Sequence, residues 1–270
     1  MRRLWMLAAF GLGLAGGSSA GAAPPVELGY LVTGAGLSLM RFDYALAVSD
    51  HDYRIDFTAR TLGVVDWFTG LRLVSSSSGA LAGTQAAPEW YEMKADTKDG
   101  PRRVDIAHLP GGELHFEAVP ATAELDRKPL TPLAPESLPG TVDPLAGVLE
   151  VSRLIASGAV CDGRIPIFDG RHRYDFVLSH AGWDQVPPED DDAYTGTAER
   201  CTARIEKLGG YPIEKVPEPD RPTTVWIARP GPDEPPVMVA FAAEGRWGKV
   251  HGHLVQFRHG AVHREAGKIG

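Results

Sequence analysis

The sequence predicts an all-β protein with one principal helix, arranged as a large curved antiparallel sheet that forms an open barrel or a β-spiral. Three observations predict this fold class. Alternating apolar and polar residues, the period of a half-buried strand, dominate the chain. Strand-like segments follow one another without intervening helices, which indicates antiparallel pairing. A convincing helical period appears in one segment, residues 144–157.

The chain opens with a segment typical of a secretory leader, MRRLWMLAAFGLGLAGGSSAGAA. Two arginines precede an apolar stretch over residues 4–14, and Ala20 and Ala22 form an A-x-A cleavage site. The apolar stretch is too short to span a bilayer, and no later segment is apolar over the length of a transmembrane helix. We therefore predict a signal peptide over residues 1–22, no transmembrane segment after its removal, and a periplasmic or secreted protein.

The remaining residues, 23–270, are predicted to form a single antiparallel β domain. Their number is common for one all-β unit. The full chain carries a net charge of −8, and loss of the two leader arginines makes it −10. Nucleic-acid binding requires a basic patch, and this acidic chain has no run of Lys and Arg. We therefore expect no nucleic-acid partner.

The N-terminal half of this domain is predicted to be a series of strands. Residues 38–48 and 53–61 alternate in polarity and are separated by an acidic turn. Residues 62–70, LGVVDWFTG, break this pattern and fit a single helical turn or a wide loop. Further strands follow, and Asp99-Gly100 is a turn signal between two of them.

A proline-rich connection over residues 120–143 leads into the principal helix, predicted at 144–157. Asp143 is placed as its N-cap, Pro144 as its first residue and Gly158 as its C-terminal stop. The helix has one apolar stripe, which we expect to pack inward. The leading residues of that stripe are Leu145, Val148 and Leu149.

Strands return after the helix, at 164–169, 171–179, 194–207, 223–229, 236–244 and 248–258. In the segment CDGRIPIFDGRHRYDF, Asp169-Gly170 lies between alternating residues and predicts a hairpin turn. A catalytic interpretation would pair Asp169 or Asp175 with His172, but nothing nearby positions a nucleophile. We therefore assign no catalytic residue here. The charged residues are interpreted as turn residues and as side chains on a solvent-facing side, namely Arg171, Arg173 and Asp175.

The sequence has two cysteines, Cys161 and Cys201. An even pair in an exported chain indicates a disulfide bond. The alternatives are a metal-binding pair and a reactive thiol, but the absence of C-x-x-C spacing makes this a poor zinc site. We predict no metal and no cofactor.

Two aromatic pairs are candidates for lining a ligand cavity, the alternative being ordinary core aromatics. A strongly curved sheet can enclose an apolar cavity, so such residues would lie on its inner face. The candidates are Trp67, Phe68, Trp90 and Tyr91.

Several segments together resemble the DUF3108 family of bacterial exported, periplasmic proteins. They are PIFDGRHRYDFVL, YTGTAERCTARIEKLGGY, VWIARP, DPLAGVLEVSRLI and YRIDFTARTLGVVDWFTG. The resemblance covers most of the chain after the leader and is most specific between the two cysteines. It implies a β-rich exported protein of the Gram-negative envelope. The function of the family is unknown, so the resemblance implies no catalytic residues. The chain is also similar to envelope β-proteins that coil a long sheet into an open spiral, by fold analogy alone.

We expect a non-enzymatic exported envelope protein that binds a lipid, a peptide or a protein ligand in the cavity of its curved sheet. Its candidate partners are therefore a lipid or another envelope protein. The alternative is a hydrolase acting on a cell-envelope polymer. That activity would require paired carboxylates or a catalytic triad, and the sequence shows neither in a recognisable motif.

Overall fold

The computed structural model of the protein describes residues 24–125, 129–187, 194–213, 221–245 and 248–265. The predicted signal peptide lies outside the described residues. Within these ranges, fourteen strands form one antiparallel sheet that does not close, so the predicted all-β fold class is confirmed. No helix in the described ranges is both long enough and apolar enough to span a bilayer.

The strands follow the predicted order closely. Their bounds are β1 Val26–Gly34, β2 Leu37–Val48, β3 Asp52–Thr61, β4 Arg72–Ala82, β5 Gln85–Thr97, β6 Gly100–His108, β7 Leu114–Val119, β8 Gly163–Phe168, β9 Arg173–Gln185, β10 Thr197–Gly209, β11 Thr223–Ala228, β12 Val237–Gly245, β13 Gly248–His259 and β14 Val262–Glu265. The helices are α1 Gly63–Thr69, α2 Thr122–Leu125 and α3 Pro144–Ala156, with a short 3-10 turn at Pro135–Ser137.

The sheet consists of two antiparallel meanders joined in the middle. Strands β1–β7 lie side by side in chain order, and β8–β13 do the same. Pairing of β1 with β13 joins the two meanders. Strand β14 pairs with β13 but does not belong to either meander. Strands β7 and β8 are therefore the two edges, although they are neighbours in the sequence. The chain between them, which includes α2 and α3, connects one edge of the sheet to the other.

The sheet curves around α3. This helix contacts β3, β4 and β5 in one meander and also β8 at the far edge of the other. The two edges approach each other, since the rings of Phe116 in β7 and Phe168 in β8 have centroids 4.8 Å apart. The backbone of Val142 pairs with β8 and covers part of its edge. The result is a curved sheet with α3 on its concave face.

The helix α3 has a fully buried N-cap. Asp143 Oδ1 accepts hydrogen bonds from the backbone nitrogens of Leu145 and Ala146, at 2.9 and 3.0 Å. Leu145 and Leu149 are buried against the sheet as expected. Val148 is 47% exposed and lines a cavity, so the expectation that it packs inward is wrong. The reason is that the sheet curves away from the first turns of the helix and leaves space there.

Two apolar clusters form the core. The first surrounds α3 on the concave face and includes Val225 and Ile227 of β11. The second includes Trp226 and Ala228 of the same strand. Because successive residues of a strand point to opposite faces, the two clusters lie on opposite sides of β11.

The predicted disulfide is present and ties β8 to β10. Cys161 precedes β8, Cys201 lies within β10, and their Cα atoms are 6.2 Å apart. Strand β9 lies between these two strands in the sheet. The bond therefore fastens the edge of the sheet to a strand two positions inward.

Candidate functional site

A cavity of about 690 Å³ lies between the concave face of the sheet and the first turns of α3. Its walls come from β2–β6, α2, α3, the turn between β8 and β9, and Pro212 after β10. The residues that line it are Tyr44, Phe57, Leu73, Ser75, Tyr91, Met93, Arg102, Thr122, Leu125, Pro144, Leu145, Val148, Asp169, Arg171, His172 and Pro212. Most of these side chains are apolar.

The floor of the cavity is one row of residues that crosses four strands. Tyr44 faces Phe57 in the pairing of β2 with β3, Phe57 faces Ser75 across β3 and β4, and Ser75 faces Met93 across β4 and β5. Residues in such a cross-strand row point to the same face of the sheet. The rings of Tyr44 and Phe57 have centroids 4.6 Å apart. Burial raises the pKa of Tyr44 far above its usual value, so this side chain stays neutral.

The opposite wall contains the turn between β8 and β9. This turn has four residues, 169–172, and Asp169 Oδ1 accepts hydrogen bonds from the backbone nitrogens of Arg171 and His172. Asp169 Oδ2 lies 3.1 Å from His172 Nδ1. Gly170 has a φ of +86°, and a Cβ atom there would lie 2.2 Å from Cγ1 of Val104 in β6. Glycine therefore allows the turn both its backbone conformation and its close approach to β6.

The residues of the hairpin interpreted as solvent-facing do not lie on a solvent-facing side, so that part of the interpretation is wrong. Arg171, Arg173 and Asp175 are all buried. Arg171 donates hydrogen bonds to the backbone carbonyls of Val119 and Pro120, and Arg173 is ion-paired with Asp175. The reason is the curvature of the sheet, which brings the end of β7 and the segment that follows it over the hairpin.

Arg102 is the lining residue whose environment is most unusual. Val104 and Ile106, two and four residues further along β6, belong to the core on the concave face. Because alternate residues of a strand share one face, Arg102 projects to the concave face as well. The side chain is half-buried, and within the described residues its guanidinium makes no hydrogen bond or ion pair. A cationic group that is partly shielded from water and has no protein partner can form charge-assisted hydrogen bonds with an anionic group beside it. The position therefore suits an anion that enters the cavity.

The charges of the cavity wall favour a negatively charged group. Arg102 and Arg171 carry positive charges, and Asp169 is the single carboxylic acid among the lining residues that the structure describes. The polar groups lie together near the β8–β9 turn and the start of β6, whereas the row from Tyr44 to Met93 is largely apolar. The cavity thus offers an apolar floor and a polar, cationic region.

The four aromatic candidates do not lie together. Tyr91 lines the cavity and is buried, as a cavity residue should be. Trp67 and Phe68 lie on α1 and are 78% and 76% exposed, and Trp90 is 43% exposed on the opposite face of β5 from Tyr91. The prediction that Trp67, Phe68 and Trp90 line this cavity is therefore wrong. Helix α1 buries none of its side chains, because it lies outside the sheet at the end of β3 and β4.

Arg102 was missed by sequence reasoning, although a signal for it exists. In PRRVDIAHL the alternate positions 102, 104 and 106 hold Arg, Val and Ile, so one arginine falls on the apolar face of a strand. The turn at 169–172 gave no comparable signal. Its position against β6 depends on how the whole sheet curves.

A second cluster of polar groups surrounds the disulfide. Glu199 is almost fully buried, and its Oε1 accepts a hydrogen bond from the backbone nitrogen of Cys161 at 2.7 Å. The same oxygen lies 2.8 Å from His180 Nδ1. The sulfurs of Cys161 and Cys201 also lie near this carboxylate. Because the two sulfurs are bonded to each other, neither is available as a thiolate ligand for a metal.

Comparisons with known proteins agree with this fold. A crystal structure of a β-barrel-like protein of the domain of unknown function DUF1849, from Brucella abortus, has a TM-score of 0.50 to this chain and 14% sequence identity. The match covers 88% of this chain and 98% of that one, and at this identity it concerns the fold alone. No curated protein matches the sequence. The family described as protein of unknown function (DUF3108) matches residues 29–251. The chain therefore belongs to the DUF3108 family.

Proposed function

We propose that the protein is an exported, non-enzymatic envelope protein that binds an amphipathic ligand with an apolar chain and an anionic group. The apolar chain would lie along the floor formed by Tyr44, Phe57 and Met93. The anionic group would contact Arg102. The volume of the cavity, about 690 Å³, falls within the range of about 300–1,000 Å³ that is usual for small-molecule sites.

The observation that supports this proposal most strongly is the environment of the Arg102 guanidinium. This guanidinium is half-buried beside an apolar floor and has no protein partner within the described residues. A carboxylate or phosphate group would supply charge-assisted hydrogen bonds there. An uncharged apolar ligand would fill the floor but leave the guanidinium without a partner, so the site favours an acid over its ester.

The proposal is tested by displacing the anionic fluorophore 1-anilinonaphthalene-8-sulfonate with oleate and with methyl oleate. The Arg102→Met variant keeps most of the side-chain volume and removes the charge. A hydrogen-bonded charge contact contributes about 1.5–3 kcal/mol, so oleate should bind this variant roughly 10–100-fold more weakly. Methyl oleate should bind the variant and the natural protein alike.

Arg60→Met is the matched control, because Arg60 is exposed and lies between two inward-facing residues of β3. Removal of that charge should leave oleate binding unchanged. Equal affinity of Arg102→Met and the natural protein for oleate would contradict the assignment. Preference of the natural protein for methyl oleate over oleate would also contradict it.

A hydrolase acting on a cell-envelope polymer is the alternative, and the contact between Asp169 and His172 in the cavity wall is the observation that favours it. A glycosidase would require two facing carboxylates, whereas Asp169 is the one carboxylic acid among the described lining residues. Ser75, a hydroxyl in the lining, donates to the backbone carbonyl of Glu92. Release of fragments from peptidoglycan, lost in His172→Ala at unchanged stability, would support this alternative against ligand binding.

A further inference from the structure

The exposed aromatic residues of α1 have no role in the cavity and call for a separate explanation. Trp67 and Phe68 are adjacent, and both side chains project into solvent, as Val64 also largely does. Exposed apolar residues are common singly, but two adjacent aromatic side chains that are both largely exposed suggest an interaction surface. We call Val64, Trp67 and Phe68 the aromatic tip.

The aromatic tip lies at the same end of the sheet as the cavity. Helix α1 connects the end of β3 to the start of β4, and Leu73, the second residue of β4, lines the cavity. The β5–β6 turn lies at this end too, since Lys98 Nζ donates a hydrogen bond to the backbone carbonyl of Trp67. Arg102 follows that turn closely in β6. A surface that bound to the aromatic tip would therefore lie near the cationic region of the cavity.

The size of the aromatic tip argues against a second copy of the chain as its partner. An aromatic side chain offers about 150–250 Å² of area, so two that are largely exposed offer roughly 300 Å². A stable protein interface buries about 800 Å² on each partner. A bilayer sets no such minimum area, because Trp is favoured in the headgroup region and membrane binding strengthens with the apolar area that is buried there.

The charges near the aromatic tip match a zwitterionic headgroup. Asp66 is ion-paired with Arg72 at 2.6 Å, and that hydrogen-bonded pairing lowers the pKa of Asp66 to about 2. The exposed charged side chains next to this neutral pair balance one another, two positive and two negative: Arg60 and Asp96, which lie opposite Arg72, and Lys98 and Asp99 in the β5–β6 turn. The phosphate and ammonium groups of phosphatidylethanolamine carry the complementary charges. The net charge, −8 for the full chain and −10 without the predicted leader, would oppose approach to an anionic surface.

We propose that Trp67 and Phe68 dock the protein onto a bilayer of zwitterionic phospholipid, with Lys98 and Asp99 facing the headgroups. This proposal does not rest on ligand binding in the cavity. If both proposals hold, docking would bring the cavity close to a supply of amphipathic ligand. Because the attraction is mainly apolar, binding should depend little on ionic strength.

The test is flotation of the protein, isolated from its own cells, with vesicles of phosphatidylethanolamine and phosphatidylcholine. Trp67→Ala/Phe68→Ala should lower the vesicle partition coefficient at least tenfold. Because both residues are exposed, the thermal melting curve should stay unchanged. Trp183→Ala is the matched control, since Trp183 is 65% exposed but lies near the end of β9 that is remote from the cavity turn. It should bind vesicles like the natural protein. Raising the salt concentration to 0.5 M should change the partition less than twofold.

Three results would overturn the proposal. One is failure of the natural protein to float with vesicles, and another is equal flotation of the Trp67→Ala/Phe68→Ala variant. The third is a concentration-dependent dimer in sedimentation equilibrium that the same variant abolishes, which would assign the aromatic tip to a second copy. None of these results bears on oleate displacement, so the two proposals fail separately.

Discussion

The free energy of unfolding of the Asp143→Asn variant should rise relative to that of the natural protein as the pH increases from 4 to 7. Asp143 is fully buried at the N-terminus of α3, and Ser77 donates a hydrogen bond to its Oδ2 at 2.7 Å. Burial raises the pKa of this carboxyl from 3.8 to about 6, although the hydrogen bonds that it accepts act in the opposite direction. The folded protein therefore holds this proton more tightly than the unfolded chain does.

The sign and size of the effect follow from this difference in pKa. Well below pH 3.8 the carboxyl is protonated in both states and imposes no penalty. Between pH 3.8 and about 6 the unfolded chain ionises first, so the contribution of Asp143 to the free energy of unfolding falls. A shift of this size corresponds to roughly 3 kcal/mol, and the loss persists above pH 6. Asn has no ionisable proton and thus lacks this loss.

The assay is urea unfolding of the natural protein and of Asp143→Asn at pH 4, 5, 6 and 7. The difference in free energy of unfolding between them should shift in favour of the variant by roughly 2.4 kcal/mol across this range, because part of the total loss already occurs below pH 4 and all other titrating groups are shared. Asp143→Ala should show the same change with pH. Its free energy of unfolding should be lower than that of Asp143→Asn by about 1 kcal/mol at every pH, because Ala cannot cap the helix. A difference between Asp143→Asn and the natural protein that does not change with pH would show that folding does not raise the pKa of Asp143.

Two further predictions concern stability. Cys161→Ser and Cys201→Ser should each lower the free energy of unfolding by up to about 4 kcal/mol, from the chain-entropy value for a separation of 40 residues, and the double variant should lose little more because one bond is shared. Thermal melts in oxidising buffer test this, and additive losses would contradict it. Gly170→Ala should lower the free energy of unfolding by about 2 kcal/mol more than Gly182→Ala does. Both glycines have a positive φ, but an added Cβ meets Val104 only at position 170 and open space at 182, so equal losses in urea unfolding would contradict this contact.

Local patterns in the sequence account for the strands, for α3 and for the disulfide. Alternation of polarity predicts a strand from its own residues, and Asp143-Pro144 marks a helix start through capping chemistry. The helical stripe predicts the burial of Leu145 and Leu149, but the exposure of Val148 depends on how far the sheet lies from the first turn of α3. That distance is a property of the whole curved sheet.

The candidate site was less accessible to sequence reasoning, because it is made by residues distant in the chain. The turn at 169–172 faces β6 only because the edges β7 and β8 approach each other, and no local pattern encodes this approach. The aromatic pairs illustrate the same limit. Aromatic character alone does not distinguish Tyr91, which lines the cavity, from Trp67, which is exposed on α1. Arg102 is the exception, since its place on an apolar face can be inferred from alternation.

Native mass spectrometry of the protein purified from its own cells is the direct test of whether the cavity holds an amphipathic ligand. We expect a bound species that dissociates on collisional activation and that organic extraction identifies as an apolar chain with a carboxylate or phosphate group. The Arg102→Met variant, purified in the same way, should carry much less of it. Recovery of the natural protein at the mass of its chain alone, together with failure to take up added oleate, would contradict ligand binding in the cavity.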